Sequence, residues 1–391
     1  MRVVLVCSSF PASSRPAELP SYAAIAVELA RRGEAVDVLC LRAGGDEDEA
    51  LPRGLRVHRR LRCAGDDGTS IGDVGHDCRA LRRLLRGPPG TSVVFADAGG
   101  LSPALLRVAE GAPTVLDLSF DWAVAAFGAG HPWWRRCREL GAVERTLARA
   151  VGAETVAPDF RSFGFFVWHD ARWKELLVRG LPVQSAKVLV AGVDTHVLRP
   201  RPEPPRGAQT TIVFHGSLTR EGGLNAVFLA LQGLPRTFRL RILARSSEDS
   251  YLAELAELGR AAGVTDRIEV VPSPGPAARA EILAAADVFV FPDERRSSFP
   301  RAALEAFAAG VPVVAARCPR TGASLGGDAF EDGANSLLFP AGDPRSLAAA
   351  VTRLASDRAL RDRLVERARH DAETRFGAPY STDQLQSVLR S

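Results

Sequence analysis

At 391 residues the chain is long enough for two domains of ordinary size, and its 46% hydrophobic and 25% charged content is that of a soluble globular protein. A net charge of +4, with acidic and basic residues interspersed, excludes the concentrated basic stripe of a nucleic-acid binder. The six cysteines have no close-paired spacing, so neither a zinc site nor a disulfide framework is suggested, and no apolar run approaches the ~18 residues of a membrane span.

Residues 3–7 read as a buried strand, and residues 3–6 are too short an apolar run for a signal peptide, so a cytoplasmic chain without stable membrane insertion is expected. Residues 21–32 carry apolar side chains at helical spacing and stop at Gly33; residues 36–41 form the next strand, with Cys7 and Cys40 as buried thiols. This strand–helix–strand unit implies a parallel pair covered by helices. Further strands are expected at 93–96, 114–118 and 187–190. The loop 63–78 holds Asp66, Asp67, Asp73 and Asp77 and reads as a solvated turn, or as a lip able to attract a cationic acceptor. All five tryptophans (Trp122, Trp133, Trp134, Trp168, Trp173) follow, most of them expected in packing roles and one or two available to stack on a sugar ring.

Residues 198–207 contain Pro200, Pro202, Pro204 and Pro205 and are read as a linker. A second alternating series begins beyond it: strands at 211–215, 239–244, 268–271, 288–291 and 311–315, and helices at 223–231, 250–262, 277–285, 301–309, 344–354 and 358–375. The fold expected is α/β, with a first domain over 1–197 and a second over 208–376. Two such doubly wound sheets place a ligand cleft at the carboxyl ends of their strands. Only Lys174 and Lys187 are lysines, so a phosphate-binding cation is expected to be arginine.

The runs Asp287-Val-Phe-Val-Phe-Pro292, Ser298-Phe-Pro-Arg301, Leu304-Glu-Ala-Phe-Ala-Ala-Gly-Val-Pro-Val-Val-Ala315 and Asp332-Gly-Ala-Asn-Ser-Leu-Leu-Phe-Pro-Ala-Gly-Asp343 resemble the donor-binding core of retaining glycosyltransferase family four. Gly192-Val-Asp194 extends the resemblance over the C-terminal half, whereas the N-terminal half matches only in its strand–helix rhythm. The resemblance implies a GT-B fold, two Rossmann-like domains facing a central cleft, with a helix at about 377–391 crossing back to the first domain. It also implies a nucleotide-sugar co-substrate, a small-molecule acceptor bound by the first domain, and no metal or other cofactor.

Physical reasoning supports the same site. The loop Ser297, Ser298, Phe299, Pro300 runs into a helix starting at Arg301, whose free N–H groups suit a diphosphate, and Glu305 one turn on is placed to accept hydrogen bonds from ribose hydroxyls. Gly216, Ser217, Arg220 and Arg245 complete the expected donor site. On the acceptor side Ser21 and Tyr22 open the first helix, and Trp122 is the aromatic candidate.

Several positions depart from the family pattern. Its first acidic residue falls on Ser297, with Glu294 as the available substitute, and its two phosphate-directed cations fall on Ser217 and Gly222, with Arg220, Arg245 and Arg301 as replacements. No catalytic base follows by pattern: Asp117, Ser119 and Asp121 stand where a His-Asp pair is common, and His169-Asp170 is a weak signal. The function expected is transfer of a sugar, with retention, from a nucleotide-diphosphate donor to a small polar acceptor in a specialised pathway such as antibiotic or other secondary metabolism. Two alternatives stay open: an atypical activated sugar (a phosphoribosyl or octose donor, or a sulfur or nitrogen acceptor), and a non-catalytic partner of the same fold.

Overall fold

The computed structural model describes residues 1–8, 10, 21–41, 51–63, 70–87, 89–96, 101–117, 139–153, 163–167, 187–190, 192–201, 209–247, 249–272, 276–293, 300–317 and 329–390. They form two compact units: described residues within 1–189 with 381–390, and Val190–Tyr380.

The first unit is built on a seven-stranded parallel sheet in the order β3-β2-β1-β4-β5-β6-β7. Its strands are β1 (Arg2–Val6), β2 (Ala35–Leu41), β3 (Leu55–Leu61), β4 (Thr91–Phe95), β5 (Thr114–Asp117), β6 (Phe163–Val167) and β7 (Lys187–Val188). The helices among its described residues are α1 (Ser21–Arg31), α2 (Ile71–Leu85), α3 (Ala104–Ala109) and α4 (Ala142–Ala150). The central strands read as near-continuous apolar runs because helices cover both faces; Cys7 and Cys40 are fully buried thiols, as expected.

Strand β3 is hidden in the sequence by its charge. Its residues Arg56 and His58, with Arg2 of β1, surround Asp37 of β2, which is 1% exposed. Burial pushes the Asp37 carboxyl up, but hydrogen bonds from His58 and Arg2 and the charges of Arg56 and Arg2 outweigh it and hold the group below its ordinary value.

Residues 70–78 of the 63–78 segment are not a loop but the cap and first turns of α2. Ser70 caps α2 by accepting from the Asp73 N–H at 3.0 Å, and Asp77 is fully buried, accepting from the Arg62 and Cys63 N–H groups at 3.0 Å each. The Asp77 carboxylate therefore ties the residues after β3 to α2, and Asp73 lies in the first turn of α2; Asp66 and Asp67 lie outside the described residues. Burial pushes the Cys63 and Cys78 thiols up, Cys78 to about 12, so neither is a thiolate near neutral pH.

The second unit carries a six-stranded parallel sheet in the order β10-β9-β8-β11-β12-β13, the doubly wound 3-2-1-4-5-6 arrangement. Its elements run β8 (Thr210–Leu218), α5 (Leu224–Gly233), β9 (Phe238–Ser247), α6 (Asp249–Ala261), β10 (Ile268–Pro272), α7 (Pro276–Ala284), β11 (Val288–Phe291) and α8 (Arg301–Ala308). Then come β12 (Val313–Arg317), β13 (Leu337–Pro340), α9 (Pro344–Ser356), α10 (Arg358–Thr374) and α11 (Ala378–Leu389). Helix α8 is buried on every side from Ala303 to Ala308, which is why its sequence is apolar apart from one carboxylate.

The unit boundary differs from the one read in the sequence. Val190, Val193 and Leu198 belong to the core that holds Phe289, Phe307 and Phe376, so 190–197 group with the second unit rather than the first. The start of the proline-rich stretch is also packed there: Arg369 of α10 donates to the carbonyls of Leu198 at 2.6 Å and Thr195 at 3.0 Å. Residues 202–208 lie outside the described residues. From Ser381 onward α11 groups with the first unit, where Arg32 pairs with Asp383 at 2.6 Å.

The 332–343 segment is pinned by Asn335, which is fully buried. Its amide donates to Ala329 O at 3.0 Å and Asp371 Oδ2 at 2.9 Å, and its Oδ1 accepts from the Glu331 N–H at 2.8 Å and Ser336 Oγ at 3.1 Å. Replacing Asn335 with Ala strands several buried polar groups and is expected to cost about 3 kcal/mol in urea unfolding.

Candidate functional site

The order of the second sheet reverses between β8 and β11, and a doubly wound domain binds its ligand at that switch point. Three chain segments build it. Strand β8 brings His215, Gly216 and Ser217, and its pairing with β9 becomes irregular between Gly216 and Leu218. Such a break bends a strand end and re-aims its side chains. A 3-10 turn (Arg220–Gly222) follows and leads into Gly223, which has φ +72°. There the backbone passes so close to the end of β11 that a Cβ on Gly223 would lie 2.2 Å from Pro292 O. The third segment is α8, which starts after Pro300.

Glu305 is the centre of this arrangement. It sits one turn into α8 and is 3% exposed. Arg301 Nε donates to its Oε1 at 3.2 Å. Arg279 Nε, from α7, lies 3.3 Å from its Oε2, and His215 Nδ1 lies 3.8 Å from the same oxygen. Oε2 accepts no hydrogen bond among the described residues. Two guanidinium groups thus flank one carboxylate, in a place where the Arg279 and Glu305 side chains are only 8% and 4% exposed. A buried carboxylate oxygen with unused acceptor capacity, flanked by guanidinium groups, suits a ligand that offers hydroxyl donors and negative charge together.

The other expected donor-site residues fall out unevenly. Pro300 is buried at the N-cap of α8 without a side-chain cap. Gly216 and Ser217 lie on β8 as described, and Gly216 packs so that a Cβ would meet the Phe214 ring at 3.0 Å. Arg220 is turned outward: its side chain is 63% exposed and paired with Glu254 of α6. It therefore does not stand in for the missing phosphate cation in this structure. Arg245 lies on β9, its side chain outside the description. Glu294, Ser297, Ser298 and Phe299 lie outside the described residues.

On the acceptor side Tyr22 is corrected. It is 4% exposed, in an apolar wall with Val3, Leu5, Ile25, Leu29 and Leu385. Every residue of α1 from Tyr22 to Ala30 is buried, so the ring is core and not an acceptor contact. Ser21 is the first residue of α1. Asp117 ends β5 and is 3% exposed. Ser119, Asp121, all five tryptophans, His169 and Asp170 lie outside the described residues. Among the described residues no group of three or more His, Cys, Asp or Glu is placed to hold a metal, and no helix is long and apolar enough to cross a membrane.

Sequence reasoning missed Arg279 and gave His215 no role. The signal for Arg279 was present: it lies four residues before Leu283, which is fully buried, so it occupies the inner face of α7, where a lone arginine demands a carboxylate partner.

Comparison with known proteins bears on this region. Residues 209–357 match the family model described as Glycosyl transferases group 1. An exopolysaccharide phosphotransferase of Streptomyces coelicolor is 34% identical over 153 residues, covering 39% of this chain and 15% of that protein. A D-inositol 3-phosphate glycosyltransferase of Acidothermus cellulolyticus is 32% identical over 240 residues, covering 59% of this chain and 46% of that protein. The chain thus spans less than half the length of either relative. Among solved structures, Anabaena HepE in complex with UDP and glucose superimposes with a TM-score of 0.64 at 16% identity, covering 100% of this chain and 99% of that one. That likeness establishes the two-Rossmann GT-B fold for the chain.

Proposed function

We propose that the chain is a glycosyltransferase that takes a sugar from a nucleotide-diphosphate donor and passes it, with retention, to a small hydroxyl-rich acceptor. The observation that carries this reading is Glu305, a buried carboxylate at the switch point whose Oε2 accepts no hydrogen bond among the described residues and which two arginines flank. A ribose offers two adjacent hydroxyls to one carboxylate, and the guanidinium groups beside it favour the diphosphate attached to it. The group 1 match over 209–357 supports the reaction class, and the relative named for D-inositol 3-phosphate supports a small polar acceptor.

Transfer with retention fits a site where no base is assigned. The acceptor oxygen bonds to the anomeric carbon on the face from which the diphosphate leaves. The carbon–oxygen bond to the β-phosphate breaks, and the acceptor proton passes to the departing phosphate oxygen. The protein's task is then to hold donor and acceptor together and to stabilise charge. The reading includes metal independence, so activity is expected to persist in excess EDTA. It also includes a specialised pathway, supported by Ser217, Gly222 and Ser297 at positions where the resembling family carries charged residues.

The reading is tested by incubating the protein with a panel of nucleotide-diphosphate sugars and cyclic polyols and following mass. The expected result is an acceptor heavier by one glycosyl unit, with release of the nucleoside diphosphate from at least one donor. No product and no nucleotide release across hexose donors, with turnover of a phosphoribosyl or octose donor, would favour the atypical-sugar reading. The outward pairing of Arg220 with Glu254 is the observation on its side.

A further inference from the structure

The cluster around Glu305 contains one residue that neither packing nor the donor reading accounts for by itself. Arg279 lies on the face of α7 that carries Leu283, and it is 7% exposed. Burying a guanidinium there is costly, and an apolar side chain at the same position would pack without that cost. What the arginine supplies that an apolar residue does not is a fixed charge 3.3 Å from Glu305 Oε2. The opposite oxygen, Oε1, is held by Arg301, whose own side chain is 25% exposed and belongs to the same helix as Glu305. A carboxylate held on one side only is free to rotate about its last torsion, which is broad for an sp² group. Charge on both sides, from two different helices, sets the plane of the carboxylate.

We propose that Arg279 is a positioning residue for the donor. It orients Glu305 so that Oε2 presents to the two hydroxyls of a ribose, and so makes the site selective for ribonucleotides over 2′-deoxyribonucleotides. The inference rests on the donor reading above and deepens it. His215 flanks the same oxygen from the strand side, its Nδ1 3.8 Å from Oε2 and too far to hold it by a hydrogen bond. Arg279 thus acts through Glu305 and touches neither sugar nor phosphate.

The experiment is isothermal titration of the full chain with ADP, GDP, UDP and CDP and with the 2′-deoxy form of whichever binds best. Wild type is expected to prefer the ribonucleotide by about tenfold or more, the value of a hydrogen bond to a charged group. Arg279→Met is expected to bring that ratio to within about threefold, chiefly by weakening the ribonucleotide, and Arg279→Lys to recover most of the preference. Should Arg279→Met fail to fold, Arg279→Gln carries the same expectation, since it keeps much of the stem and loses the charge. An equal loss of affinity for both nucleotides, or an unchanged ratio, would reduce Arg279 to a structural ion pair and overturn the inference while leaving the donor reading intact. A wild type that binds a nucleotide without preferring ribose also overturns it. No nucleotide binding at all by wild type would remove the donor reading and the inference together.

Discussion

Replacing Glu305 with glutamine is expected to lower both nucleoside diphosphate affinity and stability, each by a large amount. The substitution keeps the volume of the side chain, so packing within α8 is preserved. It removes a negative charge that pairs with both Arg279 and Arg301 at a residue that is 3% exposed. Breaking a buried pair from one side leaves an uncompensated charge, which costs about 3–5 kcal/mol where burial is complete, and somewhat less here because Arg301 is partly exposed. The affinity change has a separate origin. A neutral amide accepts hydrogen bonds about half as strongly as a carboxylate and offers only one oxygen, so ribonucleotide binding is expected to fall about tenfold or more. Urea unfolding and calorimetric titration read the two effects independently. Lost stability with unchanged nucleotide affinity would make Glu305 a structural ion-pair member and nothing more.

The second large effect is expected at Gly223. Its φ of +72° is a left-handed conformation, which costs a residue with a Cβ about 1–2 kcal/mol. Steric contact costs more. A Cβ would lie 2.2 Å from Pro292 O and 2.9 Å from Pro292 C, both backbone atoms that no rotamer change can move aside. Alanine there must push the β8–α5 connection away from the end of β11, with a total expected cost above about 3 kcal/mol. Because this connection and α8 enclose the same switch point, nucleotide affinity is expected to fall about tenfold or more even at temperatures where the variant remains folded. Gly263→Ala is the control. That glycine also has a positive φ, +65°, but nothing lies within 4 Å of where its Cβ would stand. It is expected to lose about 1 kcal/mol, with nucleotide binding unaltered. Similar losses in the two variants would mean that the close approach at Pro292 is unimportant.

Legibility in the sequence followed the strength of the local signal. The central strands were readable because burial on both faces makes them continuous apolar runs, as at Val3–Val6 and Val288–Phe291. Strand β3 was not, because Arg56 and His58 look like surface charge until Asp37 of the neighbouring strand is seen to hold them. The 63–78 segment misled for a related reason: Asp73 and Asp77 raise the polarity of what is in fact a helix start and a strand-end clamp. Glu305 was legible because a single carboxylate interrupts an apolar helix. Arg279 was not, since one arginine in Pro276–Ala284 reads as a solvated residue until its spacing to Leu283 is weighed. Tyr22 was assigned by its place near a loop, although it begins the apolar run Tyr22–Val27 of a helix buried throughout from Tyr22 to Ala30. The apolar run was the better guide there than proximity to an expected cleft.

The departures from the resembling family also take on different meanings. Arg220, offered as a replacement cation, is engaged by Glu254, whereas Arg279, unremarked in the sequence, lies 3.3 Å from Glu305 Oε2. Among the described residues, the cations beside Glu305 thus come from the helices α7 and α8 rather than from the glycine-rich connection after β8.

The most direct test is a crystal structure of the full chain with its preferred nucleoside diphosphate bound. The ribose hydroxyls are expected at hydrogen-bond distance from Glu305, about 2.6–3.0 Å, with Arg279 and Arg301 still beside the carboxylate. A nucleotide seated elsewhere, or one at the switch point whose ribose does not meet Glu305, would contradict the assignment of this unit as the donor site.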